Sequence, residues 1–214
     1  MNNRQKLNIV FPEDVKKYVK LQCNNKLRLF FNPPEFKRIK DFLKKLNPKV
    51  VLEMGSGIGR ASVCLFKYFN WENTLFILAD GDSGEKQLSG MRKWAREYYN
   101  SLDATESFCR ANKLNNFRIF NLEKSTWKDL SCKPDLVYSF YALGFHWPIN
   151  QFLIDIYPFL ENKCNLIFGL RGTSYAKKWV DNQVNNIDYD KYRIINNFFD
   201  PEDVESGSII LERK

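Results

Sequence analysis

Histidine is almost missing: among 214 residues the only one is His146. A single imidazole cannot build a His-rich metal site or a conventional zinc hydrolase. The five cysteines, Cys23, Cys64, Cys109, Cys132 and Cys164, are odd in number, and no two lie within 20 residues of each other. Zinc sites need close pairs and disulfide scaffolds need density, so these read as reduced, mostly buried thiols. No apolar run approaches the roughly 18–20 residues that span a bilayer. The longest near-apolar stretch, LVYSFYALGF at 136–145, is about half that length and contains a serine and two tyrosines. The opening MNNRQKLNIVFPED has neither an apolar core of sufficient length nor a small-residue cleavage site. These absences predict a soluble, cytoplasmic protein without a membrane partner. No internal repeat or low-complexity tract is visible.

Apolar residues at 44% and charged residues at 27% form an ordinary globular balance. The length suits one compact domain of roughly 150–200 residues with a core of its own. The net charge of +8 is uneven. Residues 1–50 hold 13 Lys and Arg against 4 Asp and Glu, which is +9, so the remaining 20 basic and 21 acidic residues balance to −1. The division expected is a basic helical cap over 1–48 and a nearly neutral core over 49–214. Such a cap attracts anions, or is simply a solvated helix face.

The chain alternates after that cap. Residues 12–22 read as a short amphipathic helix, and EFKRIKDFLKKL (35–46) sets Phe36, Ile39, Phe42, Leu43 and Leu46 at helical spacing. Strands are expected at 49–54, 74–80, 116–122, 133–140, 165–171, 192–199 and 207–214. Helices are expected near 60–69, 84–114, 149–160 and 174–186. Strand–helix alternation predicts an α/β fold, a mostly parallel seven-stranded sheet with helices on both faces. The last two strands are joined too tightly for a crossover, so the last one runs antiparallel.

The segment VLEMGSGIGR (51–60) stands between a strand and a helix. A dinucleotide fingerprint would need glycine where Arg60 stands, and a phosphate-binding P-loop would need Gly-Lys-Ser/Thr. What stands there is Glu53-x-Gly55-x-Gly57-x-Gly59.

This segment resembles the first motif of class I S-adenosylmethionine-dependent methyltransferases, and the resemblance extends over the strand order of about 49–214. It implies a Rossmann-like methyltransferase fold and S-adenosyl-L-methionine as cofactor, with S-adenosyl-L-homocysteine as product. It also implies a ribose-binding carboxylate at the end of the second strand, where Asp80 is favoured over Asp82. At the third strand's end, Asn121 and Leu122 take the place of the adenine contacts. The segment DLVYSFYALGFHWPI (135–149) resembles the fourth-strand region of many small-molecule methyltransferases, matching at Asp135, Val137, Ser139, Ala142, His146 and Trp147, with extra residues before His146. Ser139 is a candidate cofactor contact. The N/D-P-P-Y/F segment of amino-group methyltransferases and the Pro-Cys pair of cytosine carbon methylation are both missing.

An oxygen acceptor of high pKa wants a general base, and His146 has the only side chain with an unperturbed pKa near neutrality. Tyr141 is the second catalytic candidate; Tyr138 and Glu123 are poorer ones. Arg171, Tyr175 and Trp147 are candidates for the acceptor pocket. The expected reaction is O-methylation of a small hydroxylated or anionic metabolite, such as a sugar, sugar nucleotide or phosphoramidate group of a bacterial capsular polysaccharide pathway. An RNA methyltransferase using the basic arm and a catalytically inactive partner subunit are the rival readings.

Overall fold

The computed structural model describes residues 7–16, 34–82, 101–140, 142–143, 148–171, 184–197 and 206–214; for 34–38, 170–171, 197 and 206–207 it describes the backbone alone. The strands are β1 (Val50–Met54), β2 (Leu75–Asp80), β3 (Phe117–Asn121), β4 (Leu136–Ser139), β5 (Asn165–Arg171), β6 (Tyr192–Asn197) and β7 (Ser206–Arg213). The helices are α1 (Pro34–Leu43), α2 (Arg60–Phe69), α3 (Leu102–Ala111) and α4 (Ile149–Ile156). All seven strands join one sheet in the order β3-β2-β1-β4-β5-β7-β6. The pairs among β1 to β5 are parallel, and β7 runs antiparallel to both β5 and β6. The expected sheet is therefore the observed one, including its reversed last strand.

Both faces of the sheet are covered because successive strand residues point to opposite sides. Leu52 and Met54 of β1 and Val137 of β4 pack toward α4, which offers Ile149, Phe152, Leu153 and Ile156. Val51, Phe76, Leu78 and Tyr138 face the other way, toward Ile39 and Leu43 of α1, Val63 and Leu65 of α2, and Phe108 and Cys109 of α3. Four cysteines, Cys64, Cys109, Cys132 and Cys164, are free thiols, three of them buried.

The segment before α1 is stitched to the core. Asn112 at the end of α3 accepts from Val10 N at 2.8 Å and donates to Val10 O at 2.7 Å, the pairing a neighbouring strand would give. Phe11 rests on the Phe108 ring at 5.3 Å between centroids, and Val15 is fully buried. Helix α1 packs against β7. Among the described residues no helix is long and apolar enough to cross a membrane.

Candidate functional site

β1 and β4 are neighbours, so the sheet reverses its winding between them, and their carboxyl ends border the crevice where open α/β sheets take ligands. The turn leaving β1 is made by three glycines in the left-handed region: Gly55 at φ 71°, Gly57 at 54° and Gly59 at 76°. Other L-residues enter that region only at a cost.

The turn is held from every side. Gly55 N and Ser56 N donate to Ala79 O at 2.9 and 3.2 Å. Gly57 N donates to Asp80 Oδ2 at 2.7 Å, while Gly57 O accepts from Thr105 Oγ1 at 2.6 Å. Gly59 is the N-cap of α2 and abuts α3: a Cβ there would lie 3.1 Å from Cys109 Sγ and 3.3 Å from Thr105 Cγ2. Because Gly59 has no side chain to cap the helix, Glu53 does so from β1, its Oε2 accepting from Ser62 N at 3.3 Å. The same oxygen accepts from Ser62 Oγ at 2.6 Å and Tyr138 OH at 3.1 Å. Glu53 is 5% exposed, and burial pushes its carboxyl up to about 7 against these donors.

Asp80 ends β2 and is 4% exposed. Its Oδ1 accepts from Gly81 N at 2.8 Å, so each oxygen already holds one backbone donor. Burial pushes its carboxyl up to about 6, and the nearby charge of Glu123 pushes the same way. Gly81 leaves room for that neighbour, since a Cβ there would lie 3.2 Å from Glu123 Oε1. Asp82 is exposed, and its Oδ1 accepts from Leu102 N at 3.3 Å, at the start of α3.

Asn121 pairs with Asp80 across β2 and β3, and its Oδ1 accepts from Glu123 N at 2.9 Å. Leu122 N donates to Asp80 O at 2.9 Å. Ser139 is fully buried at the end of β4, its Oγ accepting from Leu143 N at 3.0 Å. The structure thus gathers Glu53, Gly55, Gly57, Gly59, Asp80, Asp82, Asn121, Leu122 and Ser139 along one edge of the sheet. Tyr141, His146, Trp147 and Tyr175 lie outside the described residues, and of Arg171 only the backbone in β5 is described.

Two residues of the fourth-strand segment are tied into the fold itself. Tyr138 sits in the core beside Glu53 with its phenol held far above the ordinary value by burial, which removes it as a base. Asp135 lies at the opposite edge of the sheet, where its carboxylate accepts from Lys49 N and Val50 N at 2.8 and 3.0 Å. Its match to the segment is a structural clamp between the starts of β1 and β4. Thr105 and Ser62, which pin the glycine turn, were not foreseen from the sequence. A hydroxyl three positions into α2 and one facing the turn from α3 were the available signals.

No protein-family model matches the chain, and no curated protein sequence matches it. Solved structures do. A fibrillarin/Nop5p complex superposes with a TM-score of 0.55 at 14% identity, over 79% of this chain and 74% of that one. An O-methyltransferase family protein from Burkholderia thailandensis gives 0.56 at 9% identity, over 84% of this chain and 56% of that one. A mutant of MtNAS in complex with S-adenosylmethionine gives 0.54 at 9% identity, over 87% and 65%. The chain therefore spans less than two thirds of the last two. At such identities the likeness is one of fold: this chain has the Rossmann-like fold of the class I methyltransferases.

Proposed function

We propose that the protein is an S-adenosylmethionine-dependent methyltransferase acting on a small hydroxylated or anionic metabolite. The observation that carries this reading is the left-handed glycine turn of Gly55, Gly57 and Gly59, held at the switch point of the sheet with Asp80 beside it. The residues present fit the cofactor. A carboxylate offers about four acceptor positions, so Asp80 keeps one per oxygen for the two ribose hydroxyls after serving Gly57 and Gly81. The Ser56 hydroxyl in the turn is 6% exposed and has no hydrogen-bond partner, an orphan that a ligand would satisfy. When bound, the cofactor supplies a methyl group on a sulfonium, which leaves a neutral thioether after in-line displacement.

In this reading the chain aligns and the acceptor attacks. Gly55 and Gly57 present backbone to the amino-acid end, Asp80 holds the ribose, and Asn121 and Leu122 border the adenine. Ser139 fixes the start of the fourth-strand loop through Leu143. His146 takes the acceptor proton as general base, with Tyr141 as the alternative. Trp147, Arg171 and Tyr175 are the candidates for contacting the acceptor, and Arg171 would grip an anionic group. The +9 balance of residues 1–50 supports an anionic acceptor such as a sugar phosphate or nucleotide sugar of a surface-polysaccharide pathway. The test is incubation with methyl-labelled S-adenosylmethionine and separate nucleotide, sugar and RNA fractions, followed by mass identification of the product. Label in the small-molecule fractions is expected; label in RNA alone would overturn the small-molecule acceptor.

A further inference from the structure

Gly57 is held at both ends of its backbone. Its N–H donates to Asp80 Oδ2 at 2.7 Å, and its carbonyl accepts from Thr105 Oγ1 at 2.6 Å. The two partners come from different elements, β2 and α3, and both are buried. Thr105 has one hydroxyl proton and two carbonyls within reach, Gly57 O at 2.6 Å and Ser101 O at 3.0 Å. A threonine inside a helix can turn that proton onto the carbonyl four residues back, which here is Ser101 O. Ser101 O already accepts the helical bond from Thr105 N at 3.0 Å. Gly57 O accepts from no other donor among the described residues. The proton therefore goes to Gly57 O, the nearer acceptor and the one left otherwise unmet. Thr105 also packs on the turn: its Cγ2 lies 3.3 Å from where a Cβ on Gly59 would stand.

We infer that Thr105 is a positioning residue for the amino-acid end of the cofactor: from α3 it holds the Gly57 carbonyl, and with it the turn, in the arrangement that receives that end, without touching the ligand. The inference rests on the methyltransferase reading. Gly57 sits in the left-handed region at φ 54° and has no side chain to limit its backbone, so the turn keeps its shape only through its bonds. Asp80 fixes the N–H of Gly57, and the carbonyl depends on Thr105. With the hydroxyl gone, Gly57 O would turn toward water to recover a donor, and binding would have to draw it back. Only molecules with the turn in place would then be competent, and the apparent affinity would fall by that fraction. The loss would fall on the amino-acid end, which lies on the turn. It would spare the nucleoside, which Asp80, Asn121 and Leu122 hold in the same reading. A threonine that merely braced α3 would weaken both ends alike or neither.

Thr105→Ala and Thr105→Ser test this, because both lose the methyl group and they differ from each other by the hydroxyl alone. Alanine and serine are both tolerated in a helix, and alanine is the better helix former. If Thr105→Ala does not fold, Thr105→Val, which keeps the bulk and lacks the hydroxyl, replaces it. Calorimetry compares two probes: S-adenosylhomocysteine, which carries the amino-acid end, and methylthioadenosine, which lacks it. Thr105→Ala should weaken S-adenosylhomocysteine about tenfold, the size of one unmet buried hydrogen bond, and leave methylthioadenosine nearly unchanged. Thr105→Ser should bind both as the wild type does. Equal weakening of the two probes by Thr105→Ala, or no weakening of either, would overturn the positioning role. So would a Thr105→Ser that binds S-adenosylhomocysteine as poorly as Thr105→Ala, since the lost methyl contact with Gly59 would then be the cause. Hydrogen exchange of the 55–59 amides needs no ligand. Faster exchange in Thr105→Ala than in Thr105→Ser is expected, and equal exchange would overturn the hold on the turn. If the wild type binds neither probe, the methyltransferase reading fails, while exchange still decides whether Thr105 holds the turn.

Discussion

The backbone N–H of Gly57 donates to Asp80 Oδ2 over 2.7 Å, so the carboxylate proposed to hold the ribose also holds the turn that receives the cofactor's other end. One residue thus ties two halves of the site together. Asp80→Ala should weaken cofactor binding by about 1.5–3 kcal/mol, the range for a hydrogen bond to a charged group, with a further loss because Gly57 N is set free. Asp82→Ala should cost less, since its carboxylate is exposed and serves the start of α3. Calorimetry with S-adenosylhomocysteine checks the order; the reverse order would move the ribose to Asp82.

Gly57 itself, at φ 54°, leaves a branched side chain both strained and in the way. A left-handed non-glycine residue costs roughly 1–2 kcal/mol. Gly57→Val should abolish binding of S-adenosylmethionine and S-adenosylhomocysteine while circular dichroism shows a retained fold. Tight binding of NAD by the wild type would instead sink the cofactor assignment.

Legibility in the sequence followed the range of the interactions. α2 at 60–69 and β5 at 165–171 were readable to the residue, because an apolar pattern bounded by glycine or asparagine is local information. β4, Leu136–Ser139, falls inside the 133–140 segment expected to lead into it, and Asp135 just before it is bonded to both neighbouring strands, its N–H donating to Val50 O and its carbonyl accepting from Asn165 N. Gly55, Gly57, Gly59 and Asp80 announced themselves by spacing. The partners of Glu53 did not: Ser62 is nine residues on and Tyr138 85 residues on, brought together only by the register of β1 with β4. Tyr138 looked like a loop candidate because its segment ends in a loop. The parity that pairs Val51 with Leu136 also turns Tyr138 inward beside Glu53.

Two raised carboxyls give stability a pH dependence of definite sign. Glu53 moves from 4.5 to about 7 and Asp80 from 3.8 to about 6. A folded value above the unfolded one means the native state binds the proton more tightly. The contribution is fully present below about pH 4 and is lost as pH rises through 6 and 7. For Glu53 it is on the order of 3 kcal/mol. Urea midpoints should fall between pH 5 and 8, and Glu53→Gln should flatten much of that fall. A wild-type midpoint that rises over this interval would contradict the upward shift of the two carboxyls.

Gly169 of β5 faces the backbone of Phe140, where a Cβ would lie 2.7 Å from Phe140 O and 3.1 Å from its Cα. The neighbour is main chain and cannot swing aside. Gly169→Ala must therefore displace the residue that leads from β4 toward His146. Overpacking of this kind costs roughly 1–3 kcal/mol. Thermal melts should show the loss, and turnover should fall more than cofactor affinity. An unchanged melting temperature would mean that β4 and β5 part without strain.

The basic cap discriminates between acceptors. Residues 1–50 carry +9 while the rest of the chain carries −1, so the excess does not continue across the body as a polymer track would require. In α1 and just after it, Lys40 Nζ lies 4.9 Å from the centre of the Tyr68 ring and Lys44 Nζ 3.6 Å from Asp41 Oδ1, while Lys45 is exposed. Ile39 and Leu43 beside them are buried, so neutralising the lysines leaves the helix anchored. Replacing Lys37, Lys40, Lys44 and Lys45 with glutamine should raise KM for an anionic small acceptor a few-fold and leave kcat nearly intact, the pattern of lost uniform binding. The effect should fade at high salt, because exposed charges are screened within roughly 10 Å at 0.1 M. Filter binding of total RNA separates the alternatives. Weak, non-saturating retention in both proteins is expected. Submicromolar RNA affinity at physiological salt that collapses in the quadruple variant would replace the small-molecule acceptor with RNA.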